Sequence, residues 1–85
     1  MRSSVLDAQH TIYEGIISMA ILPAVDGELS IMDDHEPIYV ALGKGYVRLL
    51  PVVQKTKGVS EETKPIFIRQ GVARMKNNEL VILVE

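Results

Sequence analysis

Short apolar stretches, rich in β-branched residues and interrupted every few positions by glycine, proline or paired asparagine, run the length of this chain. Such spacing leaves no room for an amphipathic helix of ordinary length, and each stretch is the size of a strand. The chain therefore reads as all-β. Strands are predicted at 11–13, 16–22, 28–32, 38–42, 46–53, 66–69, 72–76 and 80–84. Gly15 is expected to end the first and Pro23 the second, because proline cannot donate to a ladder. Gly43-Lys44-Gly45 and Asn77-Asn78 read as turns, since glycine and asparagine tolerate the positive φ that tight connections need. In 46–51 the residues Val47, Leu49 and Pro51 share one face, and Pro51 suggests a strand end or an edge. Residues 54–64 carry five charges and a single apolar residue, Val59, and read as an exposed hairpin loop.

About eight to ten short strands in 85 residues point to a two-sheet antiparallel β-sandwich. Parallel pairing is not expected, because no connection is long enough to hold a crossover helix. One domain, residues 1–85, uses the whole chain, and a hydrophobic content of 47% supplies a core for it. Cysteine is absent, so packing alone must stabilise a chain this small.

Charge narrows the partners. The formal charge is -2, which disfavours nucleic acid, since a binder needs a basic face to displace counterions from phosphates. The charges are segregated along the chain. Asp26, Glu28, Asp33, Asp34 and Glu36 lie in a stretch without lysine or arginine, and eight of the nine basic residues lie at or after Lys44. One acidic and one basic end are therefore expected. The longest nearly apolar run, 16–25, is about half the roughly 20 residues that span a bilayer, so direct membrane insertion is not expected. The first residues reach Asp7 before an apolar stretch of signal-peptide length accumulates.

Catalytic equipment is not recognisable. His10 and His35 lie in no nucleophile motif, and Gly43-Lys44-Gly45 is too short for a phosphate loop and is followed by no helix. Asp33, Asp34, His35 and Glu36 are metal-ligating residue types. Four neighbours on an extended chain cannot converge on one ion, so the better reading is a polar corner that His35 fixes by hydrogen bonds. No metal and no cofactor is expected. Met75-Lys76-Asn77-Asn78 has the outline of the hairpin tip on which biotinyl and lipoyl carrier domains bear their cofactor, with Lys76 as the attachment site. Arg74 before the pair and the asparagine turn after it depart from that pattern.

The order of motifs narrows the reading further. Tyr13-Glu14-Gly15, then Leu22-Pro23, Gly27-Glu28-Leu29 and His35-Glu36-Pro37 follow one another; Ala41-Leu42, Gly45-Tyr46-Val47-Arg48, Ile66-Phe67-Ile68 with Gly71, and Val81-Ile82-Leu83 continue the series. In order and spacing this resembles the epsilon subunit of the F-type ATP synthase, from about Val5 to Glu85. Ser30, Asp33 and Gln70 stand where that family often has glycine or proline. The resemblance implies a non-catalytic central-stalk subunit that binds the gamma subunit along one side and meets the polar loops of the c-ring at one end. Such a subunit is peripheral, on the cytoplasmic face of the energy-transducing membrane. Asp26, Gly27, Glu28, His35 and Pro37 match the positions where the family meets its partners. The family usually continues into a C-terminal helical hairpin that can inhibit ATP hydrolysis; the present sequence stops where the sandwich would end, so association with gamma without inhibition is expected. The rival readings are the carrier domain and an unrelated β-sandwich interaction module.

Overall fold

A computed structural model describes residues 1–52 and 63–85; the predicted loop at 54–64 lies almost wholly outside the described residues. Among these residues there are eight strands and no helix: β1 (Arg2–Leu6), β2 (Thr11–Ala24), β3 (Gly27–Met32), β4 (Ile38–Leu42), β5 (Gly45–Pro51), β6 (Ile66–Ile68), β7 (Gly71–Lys76) and β8 (Glu79–Val84). The hydrogen-bonded order is β1-β8-β7-β4-β2-β5-β6, with β3 beside β2 and a further β1–β2 pairing. The all-β expectation holds.

The architecture turns on β2, which spans 14 residues. Its first half pairs with β1 from Arg2↔Ile16 to Leu6↔Thr11, and its second half pairs with β3 and β5. The two halves thereby belong to different layers, and the long strand carries the chain from one to the other. The two strands predicted at 11–13 and 16–22 are thus one. Gly15 does not end a strand; it sits in the ladder opposite Ser3, whose hydroxyl donates to the Gly15 carbonyl at 2.9 Å. A Cβ at Gly15 would come within 2.7 Å of the Tyr13 hydroxyl oxygen, so the glycine makes room for an aromatic ring folding over its own strand. Pro23 is likewise inside β2. Its carbonyl accepts from Gly43 N at 2.8 Å, on the side away from β3, so the missing N–H interrupts no bond to β3.

Two further expectations are corrected. β1 is absent from the predicted strands, because its sequence mixes Arg2, Ser3 and Ser4 with only two strongly apolar residues. It is a strand because β2 and β8 satisfy both its edges. The β1–β8 ladder is parallel, from Arg2↔Glu79 to Leu6↔Leu83. A crossover helix is required only where parallel neighbours are close in sequence; here almost the entire domain is the connection.

The core lies between the layers. Val5, Ile17, Ala20, Leu22, Ile31, Val47, Leu49, Ala73, Leu80 and Ile82 are fully buried, and Leu42, Ile68 and Met75 nearly so. In β7 the alternation is strict, Ala73 and Met75 inward and Val72, Arg74 and Lys76 outward, as a strand with one wet face requires. Asn77 and Asn78 take φ of 52° and 55°, the paired left-handed values of a two-residue hairpin turn.

Candidate functional site

The β2–β3 hairpin carries the predicted contact residues at its two ends. Ala24 pairs with Gly27, leaving Val25 and Asp26 as the turn. Gly27 has φ of 132°, a value that L side chains rarely adopt, so this tip needs glycine. Val25, Asp26, Gly27 and Glu28 are all exposed. At the far end of β3, Asp33 and Asp34 form a second turn, with Asp34 at φ of 60°. Asp34 N–H donates to Asn78 Oδ1 at 2.8 Å, which fastens this corner to the β7–β8 turn. The His35 N–H donates to the Met32 carbonyl at 3.2 Å, and its ring Nδ1 lies 2.7 Å from the Glu36 carbonyl. That geometry makes the histidine a brace for its own corner, with Pro37 leading into β4.

Residues close in sequence are therefore apart in space. Asp26, Gly27 and Glu28 stand at one end of β3, which runs from Gly27 to Met32, and His35 and Pro37 lie past the other; the strand itself covers about 16 Å at roughly 3.3 Å per residue. The expected single acidic end is two acidic points. No group of three or more His, Asp or Glu side chains could share an ion among the described residues.

A groove of about 500 Å³ opens between the start of β3 and β4. Leu29, Ile38 and Val40 are partly buried there and pack on the core, while Val25 and Tyr39 stand at its lips, 67% and 76% exposed. Among the described residues the backbone edges beside it are largely free: β3 pairs only with β2, and β4 pairs with β7 but touches β2 only at Ala24↔Leu42.

The registers also show a feature that reading along the sequence misses. Ala41 pairs with Val72, Val72 with Leu83, and Leu83 with Leu6. These four lie in one row on the outer face of four adjacent strands, with Val72 and Leu83 about half exposed. The next row, Tyr39, Arg74, Val81 and Ser4, is mixed, and the row after it holds Lys76, Glu79 and Arg2. The outer face thus grades from apolar to charged. No single strand carries the signal, since each contributes one residue per row.

Lys76, the proposed carrier lysine, is the exposed last residue of β7, beside the buried Met75. This is an ordinary strand end.

The family model for the beta-sandwich domain of the ATP synthase delta/epsilon chain matches residues 1–85. An ATP synthase epsilon chain of Lactobacillus gasseri is 31% identical over 85 residues, all of this chain and 56% of the relative. The epsilon chain of Caldicellulosiruptor bescii is 33% identical over 79 residues, 93% of this chain and 52% of the relative. The chloroplastic epsilon chain of Porphyra purpurea is 31% identical over 80 residues, 94% and 54% of the two chains. This chain spans about half the length of these relatives. Among solved structures, a chain in the central stalk and c-ring of the Tetrahymena thermophila mitochondrial ATP synthase superposes with a TM-score of 0.73 at 16% identity, over 99% of this chain and 62% of that one, a likeness of fold. With the family model matched from end to end, the chain belongs to the family of ATP synthase delta/epsilon chain beta-sandwich domains.

Proposed function

We propose that this domain is a non-catalytic component of the central stalk of a proton-translocating F-type ATP synthase, binding the gamma subunit and the c-ring loops so that rotation of one turns the other. The observation that carries the reading is the exposed Asp26-Gly27-Glu28 tip, held at the end of a hairpin whose other end is braced by His35 and Asn78. A coupling element must transmit torque without yielding, and a tip fixed through continuous ladders suits that task. Its two carboxylates pair with basic groups on a ring loop. The outer row of Ala41, Val72, Leu83 and Leu6 supports a protein-facing side for gamma, because contiguous exposed apolar surface marks interaction sites. The name of the Tetrahymena structure, a central stalk with its c-ring, supports the same assignment. The domain is peripheral on the cytoplasmic face of the membrane, and no helix among the described residues is long and apolar enough to cross one.

The test is assembly. Glu28→Lys combined with His35→Ala is expected to reduce co-purification with gamma and the c-ring and to lower proton-coupled ATP synthesis. Unchanged assembly and synthesis would remove these residues from the contact.

A further inference from the structure

We propose that the groove between β3 and β4 receives an extended segment of a partner protein, alternating apolar and basic residues, which adds as a strand to the edge of β3 that is unpaired among the described residues. The proposal deepens the stalk reading, on which it rests for the existence of a partner at this end of the domain.

The backbone shows which groups are on offer. Pro23 faces Glu28 across the hairpin, and its carbonyl is turned to Gly43; this pair therefore exchanges no ladder bonds. In an antiparallel ladder such pairs alternate with bonded ones. Leu29 and Ile31 thus bond to β2, while the N–H groups of Glu28 and Ser30 point outward. On β4 the Ala41 carbonyl accepts from Val25 N at 3.1 Å, so residues of the same parity, Tyr39 among them, direct their backbone groups away from β7. Natural proteins blunt such edges with lysine, proline, bulges or very short strands. β6, at the other end of the order, is three residues long. β3 has six residues, with no lysine, no proline and an unshifted register.

Side chains define the segment that fits. Leu29, Ile38 and Val40 give the groove an apolar floor, which selects apolar residues at every second position of an added strand. Asp26 and Glu28 lie at one end of the edge, and Asp34 and Glu36 just past the other, where Asp33 is already paired with the Met1 ammonium. No lysine or arginine occurs between Arg2 and Lys44. The intervening positions of the added strand are therefore basic, and acidic segments are rejected by like charge.

The probe is a capped seven-residue peptide of alternating valine and lysine, titrated into the isotopically labelled 85-residue chain and followed by amide shifts and hydrogen exchange. Expected are saturable shifts in β3, at least tenfold slower exchange at the Glu28 and Ser30 amides, and no binding of a peptide with glutamate in place of lysine. Ser30→Pro removes an outward donor and leaves the bonds to β2 intact, so it should weaken binding at least tenfold. Should that variant fail to fold, Asp26→Lys with Glu28→Lys should weaken binding at least fivefold, with steep salt dependence. No binding at millimolar peptide, equal binding to Ser30→Pro, or shifts confined to the row of Leu6, Val72 and Leu83 would each overturn the proposal. Co-purification of the wild-type chain with gamma separates the two ideas. Gamma capture without peptide binding leaves the stalk reading standing and ends strand addition; peptide binding without gamma capture does the reverse.

Discussion

Gly71→Ala should be among the most damaging single-methyl additions in this domain. A Cβ at Gly71 would lie 2.4 Å from the Leu83 carbonyl oxygen and 3.3 Å from Val84 Cα. Both are backbone atoms of β8, so no side chain can swing aside. Relieving the contact requires β7 and β8 to part by about 1 Å, where ordinary packing sets the limit near 3.4 Å. The movement falls where Glu85 N donates to the Gln70 carbonyl at 3.0 Å and Arg69 N to the Glu85 carbonyl at 3.3 Å, and it loosens the buried Ile82. Overpacking of this kind costs about 1–3 kcal/mol, and weakening one or two backbone bonds adds about 1 kcal/mol each. A loss of about 3 kcal/mol is a large part of the roughly 4–13 kcal/mol expected for a domain this size, and it lowers Tm by roughly 12–24 °C. Thermal unfolding followed by circular dichroism measures it, with Gly71→Ala/Val84→Ala as a control that should rescue little, since the Leu83 carbonyl remains. A Tm loss below about 4 °C, or full rescue by the second change, would refute the backbone-clash account.

The remaining expectations separate other causes. At Gly27 nothing lies within 4 Å of the position an added methyl would occupy, so Gly27→Ala should cost only backbone strain, about 1–3 kcal/mol; a D-alanine introduced by chemical synthesis should recover most of it, and failure to do so would point to a lost contact. Asn78→Gly keeps the positive φ but loses the bond from Asp34 N, and should destabilise by about 1 kcal/mol while shifting the Asp34 amide resonance; Asn78→Ala should cost more. Leu22→Ala empties a fully buried site and should cost about 2–5 kcal/mol in chemical denaturation. Asp7 accepts from Gln9 N and His10 N at 2.8 and 2.6 Å, and these bonds hold its carboxyl below the ordinary carboxylate range. Because the folded value is the lower one, its stabilising effect is present above the unfolded value, near 4, and disappears as pH falls through the folded value. A carbon-detected titration of Asp7 should find a midpoint below that of Asp7 in a denatured peptide.

Particular residues show how much of the fold is readable along the chain. Asn77-Asn78 announce their turn because the left-handed backbone region admits few residue types, and the structure has both at positive φ. Val47 and Leu49 announce the buried face of β5 through period-two alternation. Gly15 and Pro23 mislead, since each is a strand breaker on local grounds and each is accommodated by a distant neighbour, Ser3 in one case and Gly43 in the other. The candidate contact residues are legible only through family resemblance. Their separation to the two ends of β3, and the groove beside it, follow from pairings between residues far apart in the chain.

By itself the sequence settled the β class, most strand positions, the inward face of the better-alternating strands and the family, because these depend on local backbone preference and on the order of short motifs. Tertiary structure alone decided that β2 is one strand shared between layers, that β1 and β8 run parallel, and that Leu6, Ala41, Val72 and Leu83 form one row on the outer face. The reason is register: alternation tells which face of a strand a residue occupies, but which residues of other strands lie beside it is set by long-range hydrogen bonding and by how the two layers close over their common core.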